Sequence, residues 1–292
     1  MKKIFIFTSL LFLLPFSVKA INIEVDYIDN VYSNRPVNNQ VLSGQLGYIY
    51  ADKNLAYCLD PSLLIATGEG KYAIDETYLE QNLTEEEINY INLVAHFGYG
   101  FASHKDEYYY MAAQELIWEK IYNKDFYWTD QEYPNGNKID IDKYKKEIEY
   151  LIENKPFINQ SVKGKINEEI VLEDKTNTLK YYDIIPIDDL EISKKDNKLI
   201  IKASKSGDYE IKLEHKNNEN KSNLIYSSAN HQTIGLLGND ILLESKFKIT
   251  IEEEKQPEVI EDVLPNTENT DINKNISSIC LLCLGLYLLR KS

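Results

Sequence analysis

Two side chains far apart in this chain carry the two halves of one reaction. Cys58 lies in Tyr57-Cys58-Leu59-Asp60, and Gln114 lies in Ala112-Ala113-Gln114-Glu115-Leu116-Ile117-Trp118. A cysteine sulfur and a glutamine carboxamide can condense with loss of ammonia, giving an internal thioester. Such a bond is a stored electrophile: its carbonyl accepts a nucleophile and its leaving group is a thiol. Taken singly, each residue has a plainer reading. Gln114 alone reads as a core amide bonded to a backbone carbonyl, and Cys58 alone as a buried structural thiol. It is the pair that points to chemistry.

The chain ends explain why Cys58 should stand alone. Lys2 and Lys3, an apolar run from Ile4 to Phe16 and the small-residue site Val18-Lys19-Ala20 have the order of a secretory signal peptide over residues 1–20. An exported protein meets an oxidising environment, where an unpaired thiol invites mispairing. At the other end, Leu264-Pro265-Asn266-Thr267-Glu268 precedes a polar spacer, an apolar run 276–289 and Arg290-Lys291-Ser292. That order resembles the cell-wall sorting signal of Gram-positive surface proteins, with Leu264, Pro265 and Thr267 as the sorting motif. The resemblance implies cleavage after Thr267 by a sortase and attachment to peptidoglycan; Glu268 stands where the family usually has Gly. A plain C-terminal membrane anchor is the alternative, although 14 apolar residues fall short of the roughly 20 of a spanning helix. Either way the protein is expected at the cell surface, touching the membrane only through its signal and tail. Cys280 and Cys283 depart with the tail, leaving no disulfide framework.

Charge excludes further classes. The full chain has a net charge of −15, and loss of both processed ends removes six basic and two acidic side chains, leaving −19. Nucleic acid is therefore not an expected partner, because phosphate binding needs a basic surface. His96, His104, His215 and His231 lack metal-ligand spacing, so neither a metal nor a cofactor is expected.

The elements that must position Cys58 and Gln114 read as α+β. Residues 22–60 suggest short strands, clearest at 47–50 and 55–59, with turns at Asn34-Arg35-Pro36 and Ser43-Gly44. Thr84-Glu85-Glu86-Glu87 is a capping box opening a helix that Gly98 stops. Further helices are predicted over 106–121 and 140–154, the last ending before Lys155-Pro156. On the helix over 106–121, Gln114 shares a face with Tyr110, Ile117, Trp118 and Ile121, so its amide is expected to be buried. After Pro156 the pattern turns to short β-rich runs, among them 169–172, 199–203, 209–213, 224–227 and 247–251, as in a β-sandwich. The expected organisation is a mixed β/helical domain over 21–155, an immunoglobulin-like all-β sandwich over 156–252, an acidic linker over 253–263 and the sorting segment over 264–292.

On these residues the sequence resembles the thioester domain of Gram-positive surface adhesins. Tyr57-Cys58-Leu59-Asp60 matches that family's aromatic–Cys–hydrophobic–acid motif. Ala113-Gln114-Glu115-Leu116-Ile117-Trp118 is similar to its helical Gln motif, with Ala113 where Thr is common. The resemblance covers about 40–155 and, more loosely, the β-rich part. It implies a Cys58–Gln114 thioester opened by a primary amine, typically a lysine of a host or matrix protein, in a single-use capture rather than enzymatic turnover.

An apolar, aromatic pocket is expected around such a bond, to keep water from competing. Tyr57, Tyr108, Tyr109, Tyr110 and Trp118 are candidates for its walls, each with the alternative of an ordinary core aromatic. Asp60 is a candidate to orient the motif or carry a proton, or else a backbone-bonded structural acid. His96 and His104 are the candidate bases. Lys163 or Lys165 with Asn239 are candidates for an isopeptide bond without specific spacing. Two other readings remain: a non-covalent binding module with an inert Cys58, and a secreted cysteine hydrolase or transferase, for which no local histidine or oxyanion signature is present.

Overall fold

The computed structural model describes residues 20–38, 40–217, 222–239 and 241–253. The signal segment before Ala20, the linker beyond Glu253 and the motif Leu264, Pro265 and Thr267 lie outside the described residues.

Strands β1 (Asn22–Val37) and β2 (Gln40–Ala51) form a long hairpin, paired from Ile23↔Ala51 to Val37↔Gln40 with a register shift between Tyr27 and Tyr32. The turns expected at Asn34-Arg35-Pro36 and Ser43-Gly44 are strand instead, as Asn34 pairs with Ser43 and Arg35 with Leu42. Pro36 is tolerated because it stands next to the hairpin's last pair, where a missing N–H costs the ladder least. β3 (Asn54–Cys58) returns antiparallel to β2 and carries the cysteine. Two short strands follow, β4 (Gly68–Glu69) and β5 (Ala73–Ile74).

The helical part comes next. It opens with a short helix, α1 (Tyr78–Asn82). In α2 (Glu85–Phe97) both halves of the capping box form: Thr84 Oγ1 accepts from the Glu87 N–H at 3.3 Å, and the Glu87 carboxylate accepts from the Thr84 N–H at 2.9 Å. Gly98 ends it at a crowded point. A Cβ there would lie 2.8 Å from that of Ala113 and 3.2 Å from the Tyr57 hydroxyl, so only glycine lets α2 approach its neighbour this closely. That neighbour is α3 (Glu107–Tyr122), capped by Asp106 accepting from the Tyr108 N–H at 3.0 Å and closed by left-handed Asn123. Every residue of α3 from Tyr110 to Trp118 is buried, so it is a core helix and not a surface amphipathic one. Strand β6 (Tyr127–Thr129) pairs with β1, and α4 (Asp142–Glu153) ends three residues before Pro156.

Beyond Pro156 come β7 (Ser161–Lys165), β8 (Glu169–Glu173), β9 (Asp183–Ile184), β10 (Leu190–Lys195), β11 (Lys198–Ala203), β12 (Gly207–Lys216), β13 (Leu224–Ser228), β14 (His231–Leu236) and β15 (Leu242–Glu252). They make a three-stranded sheet, β10-β11-β8, and a four-stranded one, β7-β15-β12-β9. Alternation buries Leu199, Ile201 and Ala203 of the first and Ile211, Leu213, Ile249 and Ile251 of the second. The two sheets touch at Gly164, where a Cβ would fall 2.2 Å from Ile170 Cδ1. Two strands of this region depart from the sandwich pattern. β13 and β14 cross into the main sheet, in the order β4-β1-β2-β3-β14-β13-β5, with Ile234 paired to Cys58. They do so because β3 needs a second neighbour: β2 supplies one edge and β14 the other, burying the strand on both sides. The described residues up to Glu253 form one compact unit.

Candidate functional site

The site lies where the main sheet splits. β2 and β3 pair at Ala51↔Asn54, Tyr50↔Leu55 and Ile49↔Ala56, and the pairing ends there. At the last pair the Tyr110 hydroxyl is wedged between the strands, accepting from the Ile49 N–H at 3.3 Å and donating to the Ala56 carbonyl at 2.9 Å. One helical turn further along α3, Gln114 takes the place of the missing strand. Its Oε1 accepts from the Cys58 N–H at 2.8 Å, and its Nε2 donates to the Cys58 carbonyl at 2.8 Å. The spacings match: four helical residues rise about 6 Å and two strand residues about 6.6 Å, so residues 110 and 114 of α3 meet residues 56 and 58 of β3. Helix side chains thus continue a β-ladder, and no backbone group of Cys58 is left unpaired.

The gap between β2 and β3 is a cavity of about 380 Å³ containing both Cys58 and Gln114. Cys58 is 3% exposed and Gln114 1%. Apolar walls come from Val25, Leu46, Ile49, Leu64, Ile65 and Trp118, while Ser33, Arg35 and Gln232 add polar atoms. A larger groove of about 870 Å³ runs along α4 and the segment 176–181, but neither Cys58 nor Gln114 lines it.

Burial dominates the electrostatics of the sulfur. It pushes the Cys58 thiol up to about 12, against the opposing pull of the Arg35 guanidinium, the Asp60 backbone and the Trp118 indole N–H. At neutral pH the group is therefore a protonated thiol and not a ready nucleophile. Arg35 was not singled out from the sequence. It is 5% exposed and lines the same cavity. The signal was hidden by Pro36, which makes Asn34-Arg35-Pro36 read as a turn, and a strand position aims the side chain quite differently.

The other expected site residues divide. Trp118 lines the cavity and stacks on Trp128 at 5.7 Å. Tyr57 and Tyr110 stack on each other at 5.1 Å but do not line it; Tyr57 faces another hollow, with His96 and Tyr99. Tyr108 and Tyr109 pack on Tyr144 of α4. Asp60 accepts from the Ser62 N–H at 2.9 Å and the Ser62 hydroxyl at 2.5 Å, the closed turn of its structural alternative.

Both candidate bases are engaged elsewhere. His104 Nδ1 bonds the Phe97 carbonyl at 2.6 Å, and His96 Nε2 meets His215 Nε2 at 2.7 Å. Lys163 pairs with Glu252 and Lys165 with Glu168, all exposed. Among the described residues, no group of three or more His, Cys, Asp or Glu could hold a metal ion, and no helix is long and apolar enough to cross a membrane.

Comparison with known proteins follows the same geography. Residues 55–156, which include both Cys58 and Gln114, match the family model of the thioester domain. The thioester domain of the Staphylococcus aureus TIE protein shares the fold, with a TM-score of 0.56 at 21% identity, covering 80% of this chain and 100% of that one. The Bacillus anthracis TIE protein aligns at a TM-score of 0.34 and 15% identity, over 80% of this chain and 49% of that one. No curated protein matches.

Proposed function

We propose that Cys58 and Gln114 condense into an internal thioester, and that a primary amine opens it to attach the protein covalently to the amine's carrier. The observation that supports this most is the reciprocal pair of 2.8 Å hydrogen bonds holding the Gln114 carboxamide on the Cys58 backbone. A core glutamine needs only partners; this one has both of them on the single residue whose side chain can react with it.

The chemistry balances in two steps. The Cys58 sulfur adds to Gln114 Cδ, the C–N bond breaks, and the thiol proton leaves with the nitrogen as ammonia. The Cys58 N–H donates to the oxygen on which charge gathers during addition, as an oxyanion donor should. Later an amine nitrogen adds to the same carbon, the C–S bond breaks, and the amine's proton returns to sulfur. The product is an amide on Gln114 and a free Cys58 thiol. Burial of the pair keeps water from competing.

The amine is a lysine side chain of a host or matrix protein, and the bond is used once, so the protein acts as an adhesin and not as an enzyme. Residues 1–20 direct export. Sortase joins Thr267 to peptidoglycan at the Leu264-Pro265 motif, and the two smaller sheets serve as an immunoglobulin-like stalk. Intact mass tests the core of this reading. Wild type is expected to be lighter than its sequence by one ammonia, with the deficit absent in Cys58→Ala and Gln114→Ala. Methylamine should add its full mass at Gln114 and free one thiol. A full-mass wild type with a titratable Cys58 overturns the covalent reading.

A further inference from the structure

The cavity at Cys58 holds a cation whose partner the described protein does not supply. The Arg35 side chain is 5% exposed, its Nε is buried without a hydrogen-bond partner, and among the described residues it forms no hydrogen bond and no ion pair. Buried guanidinium groups are ordinarily paired, since stripping a charge of water without replacing its hydrogen bonds is costly. The Asp60 charge reaches Arg35 but forms no ion pair with it, and Asp60 Oδ1 takes both bonds from Ser62. Nor is Arg35 in the cavity by accident. It reaches in from β1 past Gly44 of β2, where a Cβ would stand only 3.1 Å from its Nη2, so the glycine makes room for the guanidinium.

We propose that Arg35 is the recognition group of this cavity and binds a carboxylate carried by the amine that opens the Cys58–Gln114 bond. This deepens the proposed function and rests on it. The class of substrate is a primary amine with a carboxylate close by. In a protein partner that means a lysine beside an acidic residue; a free amino acid with a terminal amine offers the same chemistry. A guanidinium suits this task because its donors form a planar fork that a carboxylate accepts in parallel. Arg35 is a cation within a chain whose net charge is −15, so it stands against the prevailing field at this cavity. Residue 35 lies on the hairpin, outside the segment 55–156 that matches the thioester domain family.

The experiment is a rate comparison on the mature protein, read by thiol release and intact mass. Opening by 4-aminobutyrate is compared with opening by n-butylamine, which has the same chain length and no carboxylate. A lysine–aspartate peptide is compared with lysine–asparagine, which separates the peptide source from the free amino acid. In wild type the acidic member of each pair should react about tenfold faster, the gain expected of one charge-assisted contact. Arg35→Met should bring the ratio to one or below, whatever it does to the n-butylamine rate itself, and Arg35→Lys should keep part of the preference. Butyrate, added to wild type, should slow 4-aminobutyrate and spare n-butylamine, a test that needs no variant.

A wild-type ratio of one overturns the proposal, as does a ratio that survives Arg35→Met. Equal slowing of both amines in Arg35→Met also overturns it, and assigns Arg35 to the departing sulfur instead. If wild type lacks the ammonia deficit, the thioester reading falls with it; a deficit accompanied by a ratio of one sinks the carboxylate alone.

Discussion

Gln114 and Cys58 are held together by two reciprocal hydrogen bonds across a separation of 56 residues. A covalent bond at the same place closes that stretch into a loop. Cross-linking a loop of this length removes unfolded-state freedom worth about 4 kcal/mol. The intact protein should therefore melt on the order of 10 °C above its methylamine-opened form, in which every other residue is unchanged. Calorimetry before and after methylamine measures it, and coincident transitions would remove the cross-link from the stability of the fold.

The pair His96 and His215 gives a pH dependence. His215 Nδ1 lies 2.7 Å from the Tyr181 carbonyl and must carry its proton there, leaving its Nε2 to accept from the His96 Nε2–H. Phe97 and Phe101 pack around both rings. Burial, with His215 alongside, lowers His96 from the ordinary 6.5 to about 4. A histidine depressed on folding contributes stability that is complete above 6.5 and is lost as pH falls towards 4, in all on the order of 3 kcal/mol. His96→Gln keeps a donor for His215 without the titration. The stability difference between wild type and this variant should shrink from pH 7 to pH 4, and a constant difference would show that His96 does not titrate in this window.

Tyr110→Phe should separate the wedge from the packing. The ring stays, but the Ile49 N–H and the Ala56 carbonyl lose their common partner inside the core. The expected cost is about 1–3 kcal/mol in denaturant unfolding. Because the wedge sets the register of α3 against β3, a smaller fraction of Tyr110→Phe should carry the ammonia deficit. A stability loss with an unchanged thioester fraction would restrict Tyr110 to a structural part.

Behind Gln114, Lys145 of α4 bonds Glu115 at 3.1 Å and Glu119 at 2.7 Å. Burial pushes the Glu115 carboxyl up to about 7 even with Lys145 drawing it down. Lys145→Met should cost about 3 kcal/mol at pH 8, where Glu115 is left charged and buried. The cost should fall at pH 5, where the carboxyl can take a proton. Adding Glu115→Gln should recover most of the loss at pH 8 and make it independent of pH; denaturant titration of the four proteins at both values checks this.

Local signals carried much of the fold into view. The capping box at Thr84, the stop at Gly98 and the break before Pro156 are written in adjacent residues, and the helices form where those residues put them. The Gln114 face was legible too, because α3 keeps its 3.6-residue period through the core. What could not be read were relations between distant residues. Arg35 is strand only because Leu42 pairs with it, and proline next to it outweighed that in any local reading. β13 and β14 look like sandwich strands and are strands, but which sheet receives them depends on the vacant edge of β3. The aromatic pattern around Gln114 likewise did not distinguish Trp118, which lines the cavity, from Tyr110, which holds the strands apart.

The split between β2 and β3 also fixes where force would travel. In the proposed capture an amine replaces sulfur, so the partner would hang from Gln114 on α3 while Cys58 on β3 would carry nothing. Were the chain anchored beyond Glu253, as proposed, tension would run from α3 through α4 to β15, which is gripped along its length by antiparallel β12 and parallel β7. The hairpin β1–β2 and strand β3 lie upstream of that line. On that reading the half of the site that gives up the sulfur is spared the pull that the half joined to the amine must bear.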